Sequence, residues 1–259
     1  MGSKILNLLR EEKDMQLKGR LYHKTQIHFA YNSNHIEGSK LTAEQTRYIY
    51  ETSTLLTDGT TATNVDDIIE TTNHFKLVDY MLDVADEPLS EEMIKEFHRI
   101  LKSGTTDSRK SWFKVGDYKL LENEVGLSET VPPEKVNGRM AALLKSYNSL
   151  DGVSIEDIVR FHSEFERIHP FQDGNGRVGR IIMFKECLKN DIMPFIILDQ
   201  DKAFYYRGLQ EFPYEKGFLI DTCLNAQDQY QAMTENFLPP PEIDIDDTPL
   251  DDVGLDFNM

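Results

Sequence analysis

Cysteine is scarce in this chain: Cys187 and Cys223 are the only two among 259 residues. Neither stands in a Cys-x-x-Cys pair or a Cys/His ligand spacing, which argues against a disulfide scaffold and a structural zinc site and leaves free thiols in a reducing compartment. Positive charge is also short. Against 45 Asp and Glu there are 28 Lys and Arg, a net charge of −17. Such a chain repels a polyphosphate, so broad capture of nucleic acid is not expected, and any phosphate it binds must meet a local cationic site. No apolar run approaches the roughly 18 residues of a membrane span, and Met1 to Arg20 lacks the uninterrupted apolar stretch of a secretion signal. The expectation is a cytoplasmic protein with neither a membrane nor a nucleic-acid partner. Proline is missing before Pro88, and the 39% of residues that are hydrophobic suffice for a core.

What is present is helical spacing. Leu17, Leu21, Ile27 and Tyr31 recur with helical period. Thr42 with Gln45 three residues later is a capping-box signature that opens a helix through about Thr54. Ser33 to Gly38 reads as the end of an earlier helix, with Gly38 at its stop. A helix is expected over Asp67 to Asp83, and another from Ser90, with Glu91 and Glu92 in its first turn, to about Lys102. Between Val115 and Pro132 the period fails and Gly116, Asn123 and Gly126 punctuate short apolar stretches, which reads as a small β-hairpin flap. Helices resume over Pro133 to Tyr147 and after Ser154, with Asp157 at the capping position. Ile158, His162, Phe165 and His169 share one face of that helix, and Pro170 ends it at His169. A short loop leads into a helix from about Gly176 to Lys189, and Asp199 to Phe237 reads as two more. The fold class is therefore all-α with a small hairpin. Pro239 to Met259 holds seven acids, four of the ten prolines and no Lys or Arg, the composition of a solvated, disordered tail.

The chemistry converges on Ile168 to Arg180. Gly174-Asn175-Gly176 directly before a helix lets successive backbone N–H groups form a nest at the positive end of the helix dipole, a place for an anion. Arg177 and Arg180 lie one turn apart in the first turn, where the same dipole disfavours cations, so their position makes sense if phosphate oxygens lie between them. Asp173 adds a carboxylate that suits a Mg²⁺ ion bridging phosphate oxygens. His169 is the nearby group able to accept a proton at neutral pH. His162 precedes it by two turns with Glu166 between, but without an HExxH pattern a packed core histidine is the better reading of His162.

The segment His169 to Arg180 matches the pattern HxFx[D/E]GNGRxxR at every fixed position and resembles the motif of Fic-domain protein adenylyltransferases. That resemblance implies transfer of AMP from ATP to a Ser, Thr or Tyr hydroxyl of a protein target, the chain itself included, with release of pyrophosphate. It implies a Fic-type helical core over 61–238, preceded by an N-terminal helical segment over 1–60 and followed by the tail over 239–259. Under it His169 deprotonates the target hydroxyl, Asp173 holds Mg²⁺, Gly174, Asn175 and Gly176 cradle the phosphates, and Arg177 and Arg180 bind the rest of the triphosphate, Arg180 its γ-phosphate. Ser33 to Gly38 is similar to the family's inhibitory pattern [S/T]xxxE[G/N], placed as in its second class. Glu37 would then pair with Arg180 and displace the γ-phosphate, since a carboxylate and a phosphate cannot share one guanidinium fork. Tyr205 and Tyr206 resemble an aromatic pair near the nucleotide. Val125, Gly126, Leu127 and Ser128 fall where the family's flap lines the site and aligns a target strand. Phe212 and Pro213 stand where many relatives carry an Asn near the adenine.

Two further readings compete. One is a Fic enzyme that removes AMP or moves another part of a nucleotide, although Gly176 argues for AMP transfer because kinase-like relatives carry a lysine there. The other is a nucleotide-sensing regulator kept silent by Glu37, against which an intact His169 weighs. A homo-oligomer is compatible with either. Removal of Pro239 to Met259 should leave folding intact, because so acidic and apolar-poor a segment can bury little surface. Calorimetric melting of the shortened chain checks this; a loss of more than about 5 °C, well over 1 kcal/mol at this size, would show a docked tail.

Overall fold

The computed structural model describes residues 2–57, 59–60, 62–125 and 128–238. Its helices are α1 (Gly2–Asp14), α2 (Leu21–Ile36), α3 (Ala43–Thr52), α4 (Val65–Asp83), α5 (Glu91–Lys102), α6 (Pro133–Asn148), α7 (Ile155–Ile168), α8 (Asn175–Lys189), α9 (Lys202–Glu211) and α10 (Gly217–Thr234). The architecture is all-helical. Extended pairing among the described residues is confined to β1 (Glu124–Val125) and β2 (Ser128–Glu129), antiparallel with Val125 opposite Ser128. A hairpin flap of the kind read from the sequence is thus not seen as a formed element. Two residues a side make too few ladder bonds and too little buried face to stand alone. Gly126 and Leu127, like the acidic tail, lie outside the described residues.

Helix ends follow local chemistry. The Thr42 side chain accepts from the Gln45 N–H while Gln45 returns a bond to the Thr42 N–H, and Ser154 with Asp157 forms the same reciprocal box at the start of α7. Asn64 and Ser90 cap α4 and α5. The fourth helix thus starts two residues ahead of the expected Asp67. Helix α7 stops because Pro170 follows, and His169 takes the left-handed conformation with φ 50° and ψ 63° as its C-cap. Gly174, at φ 84°, turns the chain into α8, a conformation that side chains with a Cβ disfavour.

Helix α8 is the centre of the molecule. It is buried on every side from Arg177 through Leu188 and packs on α7, α1, α5, α2 and α4. A helix enclosed all round shows no amphipathic stripe. One hydrophobic core surrounds it, running from Ile5, Leu6 and Leu9 of α1 to Tyr230 of α10 and including Phe29, Leu77, Phe97, Phe165, Ile181 and Phe184. The N-terminal helices are therefore built into the same core as the motif helix. Because the capping box starts the helix that carries His169, Ser154→Ala should cost about 1 kcal/mol, roughly 2–4 °C in melting temperature for this size. Scanning calorimetry reads it directly; an unchanged melt would show the cap to be redundant.

Candidate active site

Residues 169–174 bend into a closed loop between α7 and α8. The Asn175 side chain fastens it: its Oδ1 accepts from the Phe171 N–H at 2.8 Å and its Nδ2 donates to the Phe171 carbonyl at 2.9 Å. Asn175 is thus a latch that holds the loop shut. Phe171 is fully buried and stacks on His98 of α5, with centroids 4.0 Å apart and planes at 6°. The Gly116 N–H donates to Nδ1 of His98 at 2.9 Å, so Nε2 carries the proton and donates to the Asp173 carbonyl at 3.2 Å. Burial pushes His98 down to about 3, which keeps it in that neutral form. A strand-like stretch runs along the outside of the loop. The Lys119 N–H donates to the Pro170 carbonyl at 2.9 Å, and Asn123 Nδ2 donates to the Phe171 carbonyl at 3.1 Å. Buried Lys119 in turn ties Asn123 Oδ1 and Thr130 Oγ1, each at 2.6 Å.

Both motif arginines are buried, and each is met by anions from elsewhere in the chain. Arg177 pairs with Glu70 of α4 and lies 3.4 Å from Asp173 Oδ2. Lys102 of α5 pairs with the same Glu70 and with Asp173 Oδ2 at 2.5 Å. Glu70 therefore bridges two cations. Burial alone would raise the Asp173 carboxyl, but Arg177 and Lys102 outweigh it and hold the group well below the usual carboxylate range. Arg180 points the other way, into the end of α2. Its Nε donates to Ser33 Oγ at 3.0 Å, and its Nη2 donates to the Ser33 carbonyl at 2.9 Å and to Glu37 Oε1 at 2.7 Å. Burial opposes its charge, yet the Glu37 carboxylate raises the guanidinium further.

Sequence spacing could not show why Gly176 is a glycine. A Cβ there would collide with Glu37 Oε1 and sit 3.0 Å from Arg180 Nη1. The Glu37 carboxylate rests against the first turn of α8, where the N–H groups and helix dipole favour an anion. Ser33, Glu37, Gly176 and Arg180 are thus one cluster, and Gly38, at φ 103°, turns the chain away directly after it. Of the aromatic pair, Tyr205 is fully buried behind Arg180, accepting from its Nη1 at 3.4 Å and pairing with His162 Nε2 at 2.7 Å. Tyr206 is partly exposed and donates to the Ile36 carbonyl at 3.3 Å. Val125 and Ser128 lie in the short pairing described above, and Gly126 and Leu127 fall outside the described residues.

His169 stands at the mouth of the loop with its side chain 17% exposed. Burial, reinforced by the Lys119 charge, pushes it down to about 4, so the imidazole is neutral at pH 7 and free to accept a proton. A metal would find one protein carboxylate rather than a cage. Among the described residues no group of three or more His, Cys, Asp or Glu converges, while the Asp173 side chain is ionised and 46% exposed. That donor set fits a hydrated Mg²⁺ shared with phosphate oxygens. Glu70, Lys102 and Lys119 had no signature in the sequence, since they reach the motif from 51 or more residues away through pairings that only the fold sets.

Residues 88–187 match the Fic/DOC family. A protein adenylyltransferase Fic of Nematostella vectensis is 30% identical over 186 residues, 70% of this chain and 42% of that protein. The protein adenylyltransferase fic-1 of Caenorhabditis elegans is 26% identical over 194 residues, 73% and 37%. The chain thus spans less than half the length of these two curated relatives. Among solved structures, a Fic domain containing signaling protein from Bacteroides thetaiotaomicron superimposes with a TM-score of 0.66 at 24% identity, covering 92% of both chains. A Fic family protein from Desulfovibrio desulfuricans gives 0.68 at 22%, covering 92% of this chain and 74% of that one. With the motif loop closed between two core helices and both arginines buried behind it, residues 88–187 of this chain are a domain of the Fic/DOC family.

Proposed function

We propose that this chain is a protein adenylyltransferase, moving AMP from ATP to a hydroxyl side chain of a protein, itself included, and that Glu37 holds it in an inhibited state. The observation that carries the reading is the Arg180–Glu37 contact at 2.7 Å over Gly176. It sets a carboxylate where a phosphate would otherwise meet both the guanidinium and the helix N-terminus. The naming of the curated relatives as protein adenylyltransferases supports the activity.

In this reading the triphosphate lies along the loop from Gly174 to Arg180, with Arg180 taking its γ-phosphate once Glu37 has moved. Neutral His169 accepts the target hydroxyl proton at Nε2. The freed oxygen attacks the α-phosphorus, and the bond from that phosphorus to pyrophosphate breaks. Asp173 would hold Mg²⁺, which when bound offsets phosphate charge; Lys102 must then yield part of its hold on Oδ2. The paired stretches Glu124–Val125 and Ser128–Glu129 would serve as the edge against which a target strand aligns.

The test compares AMP incorporation by the wild type, Glu37→Gly, the double variant with Arg180→Ala, and His169→Ala. Misplacement of the γ-phosphate by about 1 Å can cost 10²-fold, so Glu37→Gly should raise the rate about 10- to 1,000-fold. ADP affinity should change little. Arg180→Ala should abolish the gain, and His169→Ala should bind ATP yet lose transfer by roughly 10²–10⁴-fold. A rate that Glu37→Gly leaves unchanged or lowers would overturn the inhibitory reading and point to Glu37 as a participant in the reaction. Asp173→Ala should leave ATP binding insensitive to Mg²⁺, read by calorimetry; unchanged metal dependence would place the ion elsewhere.

A further inference from the structure

The last turn of α7 holds a carboxyl that the reading above does not use. Glu166 lies three residues before His169, and its side chain is only 13% exposed. Its Oε2 stands 4.0 Å from His169 Nδ1, while its Oε1 and that Nδ1 both lack a hydrogen-bond partner. Buried polar atoms are rarely left unsatisfied, and a small turn of the Glu166 carboxyl or of the ring would bring an acceptor to Nδ1. Catalytic hydrogen bonds are often long before substrate binds and tighten in the reacting complex.

Backbone geometry produces the match. The left-handed C-cap of His169 folds its ring back over the turn that carries Glu166. On the other side, Gly179 of α8 has no Cβ, and one placed there would stand 2.6 Å from His162 Nδ1 and 2.9 Å from Glu166 Oε1. The carboxyl is therefore wedged between α7 and α8 with few places to go. We propose that Glu166 is a positioning residue for His169: its carboxyl takes the Nδ1 side of the ring, leaves Nε2 to accept the target proton, and steadies the imidazolium that results. The proposal rests on the reading of His169 as the base. Nδ1 keeps its proton throughout, and the proton taken from the target hydroxyl ends on Nε2.

The charged surroundings fit such a pair. Glu37 of α2, Arg180 of α8, Tyr205 and Tyr206 of α9 and His162 of α7 face Glu166, and Lys119, Asp173 and Glu37 act on His169. Burial, with Glu37 adding to it, pushes Glu166 up to about 8, while burial holds His162 at about 3 and His169 at about 4. The resting pair is neutral at pH 7. Glu166 therefore stays protonated while His169 takes up the target proton, and its carbonyl oxygen is the acceptor offered to Nδ1–H.

The experiment uses the Glu37→Gly chain, alone and with Glu166→Gln or Glu166→Ala. It measures the His169 titration midpoint by imidazole NMR, the rate of AMP incorporation at saturating ATP, the ATP concentration for half that rate, and the melting temperature. Glu166→Ala, which removes the acceptor, should move the His169 midpoint to lower pH, while Glu166→Gln, whose amide oxygen replaces the carbonyl oxygen of the protonated carboxyl, should leave it close to that of the parent. Glu166→Ala should slow the saturated rate about 10- to 100-fold, part of what a positioned base supplies, with Glu166→Gln restoring most of it and the half-saturating ATP concentration unchanged in both. An unmoved His169 midpoint in Glu166→Ala, or a rate loss that merely tracks a lowered melt, would overturn the proposal. Transfer retained by His169→Ala would overturn the base assignment, an outcome told apart because it involves no change at Glu166.

Discussion

Two guanidinium groups buried at the positive end of a helix must be met by anions, and the arrangement of the whole molecule answers that demand. Arg177 and Arg180 enter the first two turns of α8, where dipole and desolvation both oppose them. The chain supplies Glu70 from α4, Asp173 from the motif loop and Glu37 from the end of α2. Each arrives from a different element, so α2 and α4 pack on α8 as well as on each other. The division of labour follows from geometry. Arg177 is held by Glu70, which Lys102 also holds, while Arg180 is held by Ser33 and by Glu37. The first set is fastened on both sides, and in the second the Glu37 side chain remains 27% exposed and can be displaced.

The same burial sets proton positions. His98, His162 and His169 are all held neutral by desolvation, but only His169 sits at an opening. His98 spends both ring nitrogens on backbone groups and so fixes the loop, and His162 pairs with Tyr205. Three imidazoles of similar acidity therefore do different work because of what each nitrogen touches.

Much of this was legible in the sequence wherever the signal is local. Capping boxes at Thr42 and Ser154, the stop at Pro170 and the motif from His169 to Arg180 are short-range patterns, and each lies where spacing placed it. Ser33, Glu37 and Arg180 do come together, although spacing on α2 alone could not say that its end reaches the start of α8. The counter-ions Glu70 and Lys102 were illegible, because a single acid or lysine on an amphipathic helix looks like surface until packing buries it. Asn175 was read as part of a backbone phosphate cradle, and what the sequence could not show is that its side chain closes the loop. The expected hairpin flap is not formed, and the pairing there is two residues a side, because turn residues mark where a chain bends, not how much ladder forms around the bend.

Helices α1 and α2 share one continuous core with α8, and this has a consequence for how the Arg180 contact responds to its surroundings. Glu37 is presented to Arg180 by a covalently tethered, internally packed helix, so its local concentration is set by the fold and does not change with dilution. Under the proposed inhibition, a nucleotide competing for Arg180 would face an opponent that never diffuses away. The competition would turn on how far the chain between Ile36 and Gly38 can pivot, with the bond from Tyr206 to the Ile36 carbonyl acting as a brake on that pivot.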